Sequence, residues 1–459
     1  MAKIKSKWIC QQCGYETAGY LGKCPECGSW GSFNEEIQTG SKPVNISPQG
    51  ISNDAKPSLI NDIKIGNEVR ISTNISEFDR ILGGGLVQGS LVLIAGDPGI
   101  GKSTILLQTS GELCKNGQKI LYVSAEESAS QLKLRANRLG INSGNLYIYP
   151  QTNLESIRQQ IDELQPDTIV IDSIQAIYSQ TITSSAGSVS QIRECCNILM
   201  QIAKTQNITV IVIGHVTKDG NIAGPKILEH MVDAVISFEG DKYKSYRMLR
   251  SMKNRFGNTS EVGIFEMQSH GLVEVKNPNE LFLNERSQDA IPGSAIIVTN
   301  EGTRPLLVEI QALVGTTPYP TPRRVTNGVD TSRLLQILAV LEKRVGLNLS
   351  KQDVYVNVMG GLEIDEPSAD LGIALSIATC ARDVVVDPQT VIIGEIGLSG
   401  EIHPVNNIEK RLNEAVTSGF KKAIIPYANR SVQNEKIQIV PVKRLIDAIS
   451  ACISPSGVN

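Results

Sequence analysis

Residues Gly96-Asp97-Pro98-Gly99-Ile100-Gly101-Lys102-Ser103-Thr104 fit the phosphate-loop pattern G-x-x-x-x-G-K-[ST]. Its glycines let backbone N–H groups curl around phosphate oxygens, and the start of the following helix adds a favourable dipole. Lys102 is the residue to reach the β- and γ-phosphates, and Ser103 supplies a hydroxyl to Mg²⁺. The run SLVLIA precedes the loop and TILLQTSGELC follows it, the strand–loop–helix setting this chemistry requires. ATP with Mg²⁺ is the implied ligand. The remaining parts of a hydrolase fall at the ends of other apolar runs, where open α/β sheets bind ligands. TIVIDS ends in Asp172, placed to hold Mg²⁺ through water, and KILYVSAEES carries Glu126 and Glu127. Glu126 is the expected polariser of the attacking water. The alternative is that one of these two acids caps the next helix. ITVIVIGHV delivers His215, a candidate sensor of the γ-phosphate.

A second chemistry sits near the N-terminus. Cys10-x-x-Cys13 and Cys24-x-x-Cys27 are two knuckles separated by ten residues. Thiolates two residues apart on a tight turn can share one tetrahedral Zn²⁺, and two such turns close the shell. With four sulfurs available and no fifth ligand nearby, the expected zinc is structural. A third cluster reads Lys253-Asn254-Arg255-Phe256-Gly257. Taken alone it suits a solvated turn. On an extended segment, however, Lys253 and Arg255 project to the same side.

The elements that position these residues are legible in part. Short, fully apolar runs alternate with helical patterns from about 68 to 275, as in a parallel sheet covered on both faces. The expected layout is a zinc finger over 1–33, a Ser/Pro/Asn/Gly-rich linker and lead-in over 34–67, the ATPase core over 68–275, and a further α/β domain over 276–459. In that last segment AIIVT, LLVEIQALV, VYVNVMG and VVVD read as strands around the helix SRLLQILAVLEKRV. At 459 residues the chain is too long for one core. No apolar run is long enough for a membrane span, and the start has no apolar leader segment. Nine cysteines, five of them scattered in apolar or helical contexts, suit a reducing, cytoplasmic compartment. A net charge of −3 excludes a protein that coats nucleic acid by bulk positive charge, while leaving room for a local basic channel.

The lead-in ISTNISEFDRILGGGLVQGSLVLIAG resembles that of the RecA-like ATPases. With the zinc module before it and Lys253–Gly257 behind it, the chain looks like the bacterial RadA (Sms) DNA repair proteins over nearly its whole length. The resemblance implies an α/β fold in three parts: an N-terminal zinc ribbon, a RecA-like P-loop core with a parallel sheet, and a C-terminal Lon-protease-like α/β domain. It also implies a homo-oligomeric, hexameric ring with ATP between subunits. Arg255 and Lys253 then enter a neighbour's site as trans-acting catalytic cations. Two loops, 179–194 and 217–230, the latter with Lys218 and Lys226, would face the channel and touch the DNA backbone. The implied activity is an ATP-dependent motor on single-stranded and branched DNA. It would drive branch migration or unwinding alongside a RecA-type recombinase.

Two rivals follow from the same residues. One is an ATP-gated DNA-binding scaffold that does not translocate. The other is a Lon-type ATP-dependent protease, because GGLEIDEPSADLGIALSIATCAR resembles the Lon nucleophile region, with Ser368 at the serine position. The matching later segment, GEIGLSGEIHPVNNIEKRLNEA, puts Glu409 at the lysine position and Lys410 one place beyond, about 100° away around a helix. Proteolysis is therefore not expected. Ser368 is read instead as the cap of the helix ADLGIALSIATC, with Asp370 in its first turn.

Overall fold

The computed structural model describes residues 5–12, 14–38, 59, 69–215, 227–240, 246–279, 283 and 291–453. The chain divides into two compact units, Met1–Val275 and Lys276–Asn459. Among the described residues no helix is long and apolar enough to cross a membrane.

The first unit opens with a three-stranded antiparallel ribbon in which β1 (Lys5–Cys10) lies between β2 (Glu16–Thr17) and β3 (Phe33–Gln38). Cys10, Cys24 and Phe33 form its small core, with Trp8 packed beside them. A core this size cannot hold a fold by apolar burial alone, so a metal is the natural second source of stability.

In the lead-in, β4 (Arg70–Ile71) pairs with β5 (Leu86–Val87) around helix α1 (Ser76–Leu82). The main sheet follows. Its parallel strands are β6 (Leu91–Gly96), β7 (Ile120–Ser124), β8 (Leu146–Pro150), β9 (Thr168–Asp172), β10 (Thr209–His215) and β11 (Ala234–Glu239). They lie in the order β8-β7-β9-β10-β6-β11. Successive residues of β6 face opposite sides, and both sides are buried. Val92 and Ile94 join the cluster containing Phe78, Leu106 and Tyr122, while Leu91 and Leu93 join the cluster containing Ile157 and Leu199. That explains the unbroken apolar runs in the sequence.

An antiparallel extension, which the apolar runs did not announce, continues the sheet through β12 (Tyr246–Asn254), β13 (Val262–Gln268) and β14 (Gly271–Glu274). β12 buries Arg247 and Ser251 and exposes Met252, so its pattern is too mixed to read as a covered strand. The helices of this unit are α2 (Lys102–Lys115), α3 (Ala129–Arg138), α4 (Leu154–Leu164), α5 (Val189–Gln206) and α6 (Ile227–Met231).

The second unit is built on a seven-stranded mixed sheet. It includes strands Ser294–Glu301, Arg304–Thr316 and Gln352–Val358, as the sequence suggested, together with Thr390–Ile392 and Lys422–Pro426. VVVD makes only an isolated bridge through Val386, so that strand assignment is corrected. Helix Thr331–Val340 buries Leu334, Ile337 and Leu338, and Leu341 just beyond it is also buried.

Candidate functional site

The phosphate loop leaves β6 and runs into α2. Its cap, Gly101, has φ 125°, in the region that favours glycine, and no side chain caps the helix. The first-turn amides are therefore the donors available to a phosphate. Lys102 is buried, and its Nζ donates to the carbonyls of Gly96 at 2.7 Å and Asp97 at 2.8 Å. Burial lowers the Lys102 ammonium below the ordinary lysine value, against the attraction of Asp172, Asp97 and Glu126.

Four adjacent strands end together here. His215 at the end of β10 is level with Gly96 on β6, and Asp172 at the end of β9 is level with Ser124 on β7. The Asp172 carboxyl is raised by burial, against hydrogen bonds from Ser103 and Tyr122, the latter at 2.8 Å. Ser103 and Asp172 thus offer adjacent oxygens of the kind Mg²⁺ takes.

Glu126 stands just beyond β7. Its Oε1 accepts from Ser173 Oγ at 2.5 Å and lies 3.2 Å from His215 Nε2. Burial alone would raise this carboxyl. The hydrogen bonds from Ser173 and His215 and the nearby cations outweigh that and hold it below the ordinary glutamate value. An ionised, oriented carboxylate at the lip of a phosphate loop can accept a proton from water. Neither acid caps the next helix: Ser128 does so, in a capping box with Gln131, while Glu127 pairs with Arg135 at 2.6 Å.

The Lys253–Gly257 cluster lies at the other end of the strands. Asn254 is level with Ala234 and Val92, near the start of β6, whereas Phe238 on β11 is level with Gly96 at its end. The length of β6 separates the cluster from its own phosphate loop, roughly 15 Å at the usual rise per residue. Lys253 and Arg255 do turn to the same side. Lys253 Nζ donates to the carbonyls of Glu229 at 2.6 Å and His230 at 3.2 Å, and Arg255 pairs with Asp233 at 3.2 Å.

Every residue of the cluster has a partner within the chain. Asn254 donates to Ile81 O, and Arg70 donates to Phe256 O at 2.5 Å. A Cβ on Gly257 would stand 3.1 Å from both Gly83 Cα and Asn254 Nδ2, so close approach rather than a positive φ favours glycine there.

Of the two candidate DNA loops, 179–194 is shorter than expected because α5 begins at Val189. The rest is gathered around buried Gln191, whose Nε2 donates to the carbonyls of Ser179, Ile182 and Ser184. In the other loop, residues 217–226, including Lys218 and Lys226, lie outside the described residues.

In the ribbon, the sulfurs of Cys10, Cys24 and Cys27 lie within 4.8 Å of one another, and Cys13 lies outside the described residues. Gly14 N donates to Cys10 O and Gly28 N to Cys24 O, which closes each knuckle. Ser32 and Ser29 hydroxyls approach Cys10 and Cys27 sulfur at 3.1 and 3.2 Å, the outer contacts a thiolate site uses. The donor set fits a structural Zn²⁺.

Family comparisons agree with this geometry. The ribbon matches the rubredoxin metal binding domain over residues 8–35, and residues 64–221 match the AAA domain. Residues 328–429 match subunit ChlI of Mg-chelatase. The DNA repair protein RadA of Bacillus subtilis strain 168 is 50% identical over 454 residues, covering 98% of this chain and 99% of that protein.

The chain belongs to the RadA family of DNA repair proteins.

RadA of Halalkalibacterium halodurans is 50% identical over 99% of this chain and all of its own length, and RadA of Synechocystis sp. is 48% identical over all of this chain and 96% of its own. Among solved structures, a KaiC-like protein from Pyrococcus horikoshii OT3 is similar at 23% identity and TM-score 0.39, over 45% of this chain and 99% of its own. The fold is the expected one: a zinc ribbon, a RecA-like ATPase core and a C-terminal α/β domain.

In that last domain the structure departs from the sequence expectation at Ser368. The helix Asp370–Arg382 has Ala369 at its N-cap and no side-chain cap, so Ser368 does not cap it. Ser368 Oγ instead accepts from Arg411 Nη1 at 3.1 Å. Arg411 is fully buried, donates to Val298 O at 2.5 Å and Asn406 O at 3.0 Å, and pairs with Glu366. Glu409 and Lys410 are both exposed. The cation facing the serine is two places past the aligned position, which a helix carries round to the buried side.

Proposed function

We propose that this RadA-family protein is a ring-forming, ATP-driven DNA motor. Residues 96–104 bind ATP, with Ser103 and Asp172 holding Mg²⁺, Asp172 through water. Glu126 draws a proton from the attacking water, and His215 orients Glu126 and senses the γ-phosphate. Mg²⁺ supplies charge neutralisation at the phosphates.

One observation carries the reading. Lys253 and Arg255 stand at the opposite end of the strands from their own phosphate loop, and Arg255 keeps 55% of its side chain exposed. Cations so placed cannot act on their own nucleotide, but they suit the nucleotide of a neighbour in a closed ring, taken to be a hexamer. Loop 179–187 and the segment 217–226 would then contact single-stranded or branched DNA through its backbone. The work done is branch migration or unwinding of recombination intermediates beside a RecA-type recombinase, in the cytoplasm. The contact between Arg411 and Ser368 argues against proteolysis, since a guanidinium keeps its proton and cannot serve as general base.

The test is ATP turnover with and without single-stranded DNA, together with the mass of the assembled particle, for wild type, Lys102→Ala and Arg255→Ala. Lys102→Ala should lose nucleotide binding. Arg255→Ala should bind ATP yet lose DNA-stimulated turnover. A monomer that hydrolyses ATP at full rate regardless of DNA would refute the motor, and strand displacement on forked substrates separates the motor from a static scaffold.

A further inference from the structure

The nucleotide site includes a cation that none of the motifs contains. Arg247, near the start of β12, is only 6% exposed. Its Nε donates to the carbonyl of Ile100, within the phosphate loop, at 3.2 Å, and Nη1 donates to Tyr246 O at 2.8 Å. Gly240 makes room for it: a Cβ there would stand 2.8 Å from Arg247 Cδ and 3.5 Å from Ile100 Cδ1.

In a planar trans peptide the C=O and the next N–H point in opposite directions. Holding Ile100 O on the Arg247 side therefore aims Gly101 N–H the other way. Gly101 has φ 125°, and glycine has little intrinsic preference to keep that peptide from turning over. A turned peptide would present a carbonyl, rather than an amide, to an anion. We propose that Arg247 is a positioning residue of the nucleotide site, fixing the 100–101 peptide so that Gly101 N–H is offered to the triphosphate. This rests on the reading that residues 96–104 bind ATP.

The experiment uses the full chain and three variants: Arg247→Met, Arg247→Lys and Gly240→Ala. The last displaces the guanidinium without removing it. The readouts are Kd for a fluorescent ATP analogue, KM and kcat without DNA, and the thermal melting midpoint. Losing a charge-assisted hydrogen bond predicts that Arg247→Met and Gly240→Ala raise Kd and KM about tenfold while kcat stays within about twofold. Arg247→Lys, which keeps a donor, should recover part of the loss. Unchanged Kd and KM in variants that melt like wild type would overturn the proposal, as would a fall in kcat at constant KM. If Arg247→Met does not fold, Gly240→Ala decides by the same readouts. Wild type failing to bind the analogue would instead sink the parent reading of the loop.

Discussion

Arg411 donates to the hydroxyl of Ser368 across 3.1 Å from a side chain with no exposed surface. The serine therefore faces a permanent cation where a protease would need a proton acceptor. Wild type should release no peptides from unfolded casein with ATP, and Ser368→Ala should leave ATP turnover unchanged. Arg411→Met should strand the Glu366 carboxylate and lower stability by about 3–5 kcal/mol, read by chemical denaturation. ATP-dependent casein cleavage abolished by Ser368→Ala would show that the site works after all.

Glu126→Gln should retain ATP binding and lower turnover by roughly 10²–10⁴, the usual range for a lost general base. The pH profile follows from the sign of the shift. Because the Glu126 carboxyl is held below the ordinary 4.5, the base stays ionised at neutral pH and protonates only as pH falls through that lowered value. The contribution of Glu126 to the acid limb of turnover should therefore lie lower than a free glutamate would place it. Removing the hydrogen bond with Ser173→Ala should move that limb upward. An unmoved limb in this variant would detach Ser173 from the role.

Asp233 and Arg255 separate structure from mechanism. Asp233 is 2% exposed and accepts from Leu91 N at 3.0 Å, Lys204 at 2.7 Å and Arg255 at 3.2 Å. Asp233→Ala leaves the start of β6 without its acceptor and should destabilise the core by about 3 kcal/mol or more. Arg255→Ala leaves Asp233 with Lys204 and the Leu91 amide, so its stability change should stay below about 1 kcal/mol. Equal melting losses in the two variants would make Arg255 a structural residue.

Metal removal should act on the ribbon alone. A strong chelator, or Cys10→Ser with Cys27→Ser, should release one zinc per chain and the order of β1–β3 with it, since metal binding and folding are coupled in so small a core. Binding of the ATP analogue should persist. Metal analysis and nucleotide affinity on the same sample check both halves.

The sequence alone determined the chemistry that is local in the chain. The phosphate loop, the cysteine knuckles and the strand-end residues Asp172 and Glu126 are recognisable because each depends on neighbours a few positions away. The central parallel strands β6, β7, β9 and β10 were legible for a related reason: burial on both faces forces unbroken apolar runs, whereas the edge strand β8 is partly exposed and was not among them. Tertiary structure decided what depends on distant partners. Arg247 meets Ile100 across 147 positions, and Arg411 meets Ser368 across 43. Arg255 meets Asp233 only because β12 runs antiparallel beside β11. A cation's role is set by what lies within hydrogen-bond reach in space, and chain spacing carries no record of that once a sheet brings its strands together.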